Sequence, residues 1–204
     1  MTRAHGVIAA GILSAALPCA LLLGAQTGNS KAGDKNLAAR TYFTDVVLVN
    51  QDGQEMRFFS DLIEGKTVMV ITFFTTCTGI CPPMNRNLEQ IQSWLDDRLG
   101  KDVHMLAISV DPLHDTPPRM KEYARRYHAK PGWYFLGGKK ENVDLALKKL
   151  GQYVEAKDDH SPIMIIGNQR TGLWKKALAL AKIEDLIKIV DSVVNDKPQE
   201  GSSN

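Results

Sequence analysis

Cysteine is scarce in this chain: three among 204 residues, at positions 19, 77 and 81. That scarcity excludes a disulfide-stapled scaffold, because Cys19 falls in an N-terminal apolar segment and the other two stand four positions apart. An excess of charge of one sign is also missing. Twenty-five basic and 23 acidic residues leave a formal net charge of +2, with no clustered basic run and no internal repeat. Such a balance is too mild to argue for nucleic acid, and none is expected as a partner. A fourth cysteine or histidine is absent from the local cysteine motif, which argues against a closed four-ligand structural zinc site.

What is present is enough apolar material, 44% of residues, for one globular domain with appendages. Arg3 precedes an uncharged stretch, Gly6 to Ala25, of the length needed to span a bilayer, about 20 residues. Residues 1–25 therefore read as a cleaved secretory signal or as an uncleaved membrane anchor. Either reading exports the domain. Residues 26–40 are small and polar and read as a flexible tether, residues 41–195 as the folded domain, and residues 196–204 as a disordered tail.

Within the domain, Phe43 to Asn50 and Glu55 to Phe59 flank Gln51-Asp52-Gly53-Gln54, a hairpin signal. Thr67 to Phe74 is an apolar run expected as a buried strand. Met84, Leu88, Ile91 and Leu95 follow at helical spacing. Val103 to Val110 predicts a second strand, and Thr116-Pro117-Pro118 opens a helix through Tyr127 with Thr116 as N-cap. A short strand at Trp133 to Leu136 and a helix over Glu141 to Leu150 come next. A third long strand at Ile163 to Ile166, a turn to Leu173–Lys176 and a helix over Ile183 to Val194 complete the domain. This alternation predicts a layered α/β fold with a mixed central sheet flanked by helices and an added N-terminal hairpin.

Cys77 and Cys81 sit where the first long strand gives way to a helix opened by Pro82 and Pro83. That placement matches the redox site of thioredoxins. A helix N-terminus lowers thiol pKa, making thiolate available for disulfide exchange or for a soft metal. The spacing has one residue more than the usual redox Cys-x-x-Cys. The bland alternative, a structural disulfide, fits the loop placement poorly. His104, His114 and His128 lack cysteine context and read as solvated or structural. Met84 and Met164 lie in apolar patterns and read as core. Asp158 and Asp159 read as a solvated loop, with Asp159 a candidate to orient the His160 ring.

Four features together, the stretch Thr72 to Pro83, Ser109-Val-Asp-Pro-Leu-His-Asp-Thr-Pro117, Asp159-His-Ser161 and the export segment, closely resemble the Sco/SenC family of copper-binding, thioredoxin-like proteins. The resemblance covers roughly Thr41 to Val194. It implies that Cys77, Cys81 and His160 bind one copper ion, as Cu(I) or Cu(II). It also implies a partner: the CuA-bearing subunit of a cytochrome c oxidase, or a related copper protein. A copper donor or a thioredoxin-like reductant would stand upstream, on the periplasmic side of a bacterial inner membrane.

The donor chemistry agrees, since thiolates suit Cu(I) and imidazole extends the set to Cu(II). A copper chaperone is thus the leading expectation. A thiol-disulfide reductase working through Cys77 and Cys81 is the alternative, and a copper or redox sensor a weaker one. A peroxiredoxin-type peroxidase is disfavoured, because its threonine and proline precede the reactive cysteine, whereas Pro82 follows Cys81. Many family members carry proline and an acidic residue where this chain has Thr78 and Gly79. Pro162 stands where thioredoxins place a proline facing their cysteines, which favours thiol-disulfide work.

Overall fold

The computed structural model describes residues 28–198. The export segment and most of the polar tail lie outside the described residues. The elements in chain order are α1 (Gly28–Phe43), β1 (Val47–Asn50), β2 (Glu55–Arg57), β3 (Thr67–Phe73), α2 (Cys81–Leu95), β4 (Val103–Ser109) and α3 (Pro117–Arg126). They continue with β5 (Trp133–Gly137), α4 (Lys140–Leu150), β6 (Ile163–Asn168), β7 (Leu173–Leu178) and α5 (Ile183–Val194). A wide helical turn, Phe58–Ile63, links β2 to β3.

One seven-stranded mixed sheet runs in the order β2-β1-β5-β4-β3-β6-β7. Strands β3, β4 and β5 are parallel, while β6 is antiparallel to β3 and β1 to β5. The expected hairpin is β1–β2, with Val49 opposite Glu55. Strand β3 is central, which explains its unbroken apolar run: all seven residues are buried. Its side chains alternate between two cores. Met69, Ile71 and Phe73 pack on one face with α2, α3 and α5. Val68 and Val70 pack on the other with α4, Phe43 and the Phe58–Ile63 turn. Each fully buried aliphatic or aromatic side chain of this kind contributes about 1.5–3 kcal/mol.

The segment read as a tether differs from its expectation. Helix α1 runs through it, and its last turns are attached to the domain: Asn36 and Arg40 donate to Glu64, and Arg40 also reaches Asp45. Phe43, expected to open the hairpin, ends this helix instead. Its ring lies 5.3 Å from Trp174 and stacks at 6.4 Å on Phe59.

Topology then fixes where chemistry can happen. The register of β3 with β6 pairs Val70 with Ile165. Carried forward, it brings the residues just before Ile163 level with the loop that follows Phe73. The loop after β4 opens at the same edge, because β4 is parallel to β3. Three loops distant in sequence therefore share one edge of the sheet.

Candidate metal centre

Cys77, Cys81 and His160 come together at that edge, their donor atoms all within 4.8 Å of one another. The sulfur of Cys81 lies 3.4 Å from Nε2 of His160. Both cysteines are free thiols, Cys77 half-buried and Cys81 fully buried. Cys81 is the first residue of α2, with Pro82 and Pro83 in the first turn. Proline at these positions costs the helix nothing, because the first amides have no partner within it.

The tautomer of His160 follows from its neighbours. Its Nδ1 stands 2.7 Å from the backbone carbonyl of Lys157, and a carbonyl can only accept, so Nδ1 carries the proton and donates. Nε2 is then the bare nitrogen, and it faces the Cys81 sulfur. Burial holds the His160 pKa below its ordinary value, opposed by the Lys157 carbonyl, which keeps the ring neutral and able to ligate. Asp159, the residue expected to orient the ring, makes no such bond; the carbonyl of Lys157 does that work.

Helix-dipole activation of the thiols also needs correction at Cys81. Its pKa is pushed up to about 12, first by burial and then by the neighbouring Cys77 sulfur, against the Phe74 backbone and the Tyr123 hydroxyl. Pro82 and Pro83 contribute to the reason, since neither has an N–H to offer a thiolate. Cys81 is therefore a protonated thiol until a cation displaces the proton.

A second layer of contacts holds the loops. Asp115, 2% exposed, accepts from the Thr75 amide at 3.1 Å and the Thr75 hydroxyl at 2.5 Å, and from the Ser109 hydroxyl at 2.6 Å. Its carboxylate ties the cysteine loop to the end of β4. The Lys157 ammonium bonds Asp111 at 2.7 Å and lies over the Phe74 ring, whose edge meets His160 with ring centres 5.1 Å apart. Neither tie, at Asp111 or at Asp115, is signalled by the sequence stretch that holds them. Thr116 is the N-cap of α3 as expected, but its side chain makes no capping bond.

The bland readings stand for the remaining candidates. His104 is buried and bonds the Leu62 carbonyl; His114 and His128 are exposed beside Asp111 and Glu89. Met84 and Met164 are fully buried in the core.

Donor atoms sharing one ion at about 2.0–2.3 Å each must lie within roughly 4.6 Å of one another. The 4.8 Å spread meets that limit after a slight tightening. Two sulfurs and one imidazole, with Cys77 the less buried cysteine of the pair, make a soft three-donor set that fits copper.

A family model described as SCO1/SenC matches residues 35–195. The "SCO1 protein homolog" of Bacillus subtilis is 30% identical over 118 residues, 56% of this chain and 60% of that protein. BsSco, described as a member of the Sco family of cytochrome c oxidase assembly proteins, superposes with a TM-score of 0.62 at 26% identity. The match covers 76% of this chain and 94% of that one. Yeast Sco1, solved with copper bound, gives 0.61 at 25% identity over the same shares.

Proposed function

This chain belongs to the SCO1/SenC family, and we propose that it binds one copper ion through Cys77 Sγ, Cys81 Sγ and His160 Nε2 and passes it on during cytochrome c oxidase assembly. The observation that carries the reading is the convergence of two free thiols and one bare imidazole nitrogen within 4.8 Å. The copper is cargo, and the residues divide the labour of holding and releasing it. Buried Cys81 and His160 retain the ion, while Cys77, the less buried of the two cysteines, is the ligand an incoming thiol can replace. Loading forms a copper–sulfur bond at Cys81 and sends the thiol proton to solvent. The acceptor is the CuA centre of the oxidase, and the site of action is the periplasmic side of the membrane, with the export segment as signal or anchor.

A second reading has one observation in its favour: the Cys77 and Cys81 sulfurs lie within 4.8 Å of each other, both as free thiols. In that reading Cys77 attacks a disulfide of the partner and Cys81 resolves the mixed disulfide, leaving a Cys77–Cys81 disulfide here and two thiols there. The buried thiol at position 81 makes a slow resolving group, which favours the copper reading.

The experiment is a paired assay of wild type and His160→Ala, in copper titration and in reduction of a partner disulfide. The copper reading expects the variant to lose affinity, most of all for Cu(II), while still forming the Cys77–Cys81 disulfide. A variant that binds copper like wild type but fails as a reductase would establish the enzyme instead.

A further inference from the structure

Beside the cysteine loop lies a recess of about 260 Å³ lined by Thr75, Thr76, Arg119, Glu122, Tyr123 and Arg126. Thr75 and Thr76 are the two residues directly before Cys77, so the recess shares a wall with the metal centre. Its other wall is α3, where Arg119, Glu122 and Arg126 fall at helical spacing along one stripe.

The charges in this recess do not cancel. Glu122 is ion-paired with Arg125. The Asp115 carboxylate is buried behind Thr75, hydrogen-bonded by Thr75 and Ser109, and does not line the recess. Among the described residues, neither Arg119 nor Arg126 has a carboxylate partner. Both are nonetheless held in place: Arg119 donates to the His114 carbonyl at 3.0 Å, and the Arg126 guanidinium lies 5.7 Å from the centre of the Tyr123 ring. Two guanidinium groups without carboxylate partners, against one carboxylate at Glu122, give the recess a surplus of positive charge and planar donors that match carboxylates.

We propose that this recess docks an acidic segment of the copper-receiving protein, so that carboxylates on the acceptor engage Arg119 and Arg126 while its thiols reach Cys77. The proposal rests on the copper reading of Cys77, Cys81 and His160 for its consequence, but the docking itself is a property of the surface. Charges at the rim of an interface act mainly on association rate and its salt dependence. Arg119 and Arg126 therefore govern how fast an acceptor arrives and leave copper affinity alone.

The test uses two synthetic dithiol peptides, identical except that one flank carries glutamates and the other glutamines. The metal-free protein is titrated with each, and docking is followed by NMR amide shifts of Thr75, Thr76, Glu122 and Arg126, which needs no copper. In parallel, the rate of Cu(I) transfer from loaded protein to each peptide is measured across ionic strength. The acidic peptide should shift those amides selectively and take copper about tenfold faster at low salt. That advantage should vanish well above ~0.1 M salt, where the screening length falls below about 10 Å.

The Arg119→Gln/Arg126→Gln variant should lose the preference at unchanged copper affinity, and Arg119→Lys/Arg126→Lys should retain most of it. Equal behaviour of the two peptides toward wild type, or a preference that survives in the glutamine variant, overturns the proposal. The wild-type salt series decides the matter even if the glutamine variant folds poorly. A protein that takes up no copper yet discriminates between the peptides contradicts the function reading alone.

Discussion

Lys157 holds His160 from two directions. Its backbone carbonyl accepts the Nδ1–H of the ring at 2.7 Å, and its ammonium, 2.7 Å from Asp111, fastens the same segment to the loop after β4. Nε2 of the ring is thus aimed at the Cys81 sulfur by a residue three positions earlier, through its backbone carbonyl.

Lys157→Met keeps the carbonyl and removes the tie to Asp111. The ion pair is partly exposed, with 37% and 12% side-chain accessibility, so its contribution to stability is small. Groups that orient a ligand typically cost tenfold or more in metal affinity when removed. The variant should therefore melt close to wild type yet bind Cu(II) about tenfold more weakly in a competition titration. Unchanged affinity would show that the carbonyl alone fixes the ring.

Asp115→Ala removes the one acceptor shared by the Thr75 amide, the Thr75 hydroxyl and the Ser109 hydroxyl. Buried donors left unpaired cost about 1–3 kcal/mol each, and some of that is recovered by water entering the gap. The expectation is a loss of about 2–4 kcal/mol in urea unfolding, with Asp115→Asn intermediate. A loss under about 0.5 kcal/mol would mean that the cysteine loop is held by other means.

The buried Cys81 thiol predicts a specific alkaline sensitivity of the metal-free protein. Its folded pKa is raised to about 12, so the folded state keeps a proton that the unfolded chain has already released. This stabilisation is fully present below the unfolded thiol pKa, near 8.5, and is lost as pH rises toward about 12. The slope approaches about 1.4 kcal/mol per pH unit within that window. Tyrosines and lysines titrate there too, so the readout is the difference between wild type and Cys81→Ser in urea unfolding at pH values from about 8 to 11. Parallel curves for the two proteins would show that Cys81 is not the group responsible.

Much of this was legible from residue order, because apolar periodicity is set by burial and burial made these elements. The run Thr67 to Phe74 announced a buried strand, and the step from it into Cys77 and Cys81 announced a strand-to-helix loop where chemistry sits. Helix α1 was hidden because Gly28, Asn29, Ser30 and Gly33 are poor helix formers. Tertiary contacts of Asn36 and Arg40 with Glu64, and of Phe43 with Trp174, accompany it where composition gave no cue. The orientation of His160 was equally invisible, since the partner that matters is a backbone carbonyl. The raised Cys81 pKa depends on how completely the folded domain excludes water, which a motif does not encode.

The central claim is that two sulfurs and one imidazole nitrogen hold one copper ion, and copper stoichiometry with X-ray absorption on the reduced protein tests it most directly. The account predicts one copper per chain with two sulfur neighbours and one nitrogen. The nitrogen should be lost in His160→Ala, and binding should be abolished in Cys77→Ser and in Cys81→Ser. Copper that fails to bind the reduced wild type, or that binds with the same ligand set after Cys81→Ser, would contradict it.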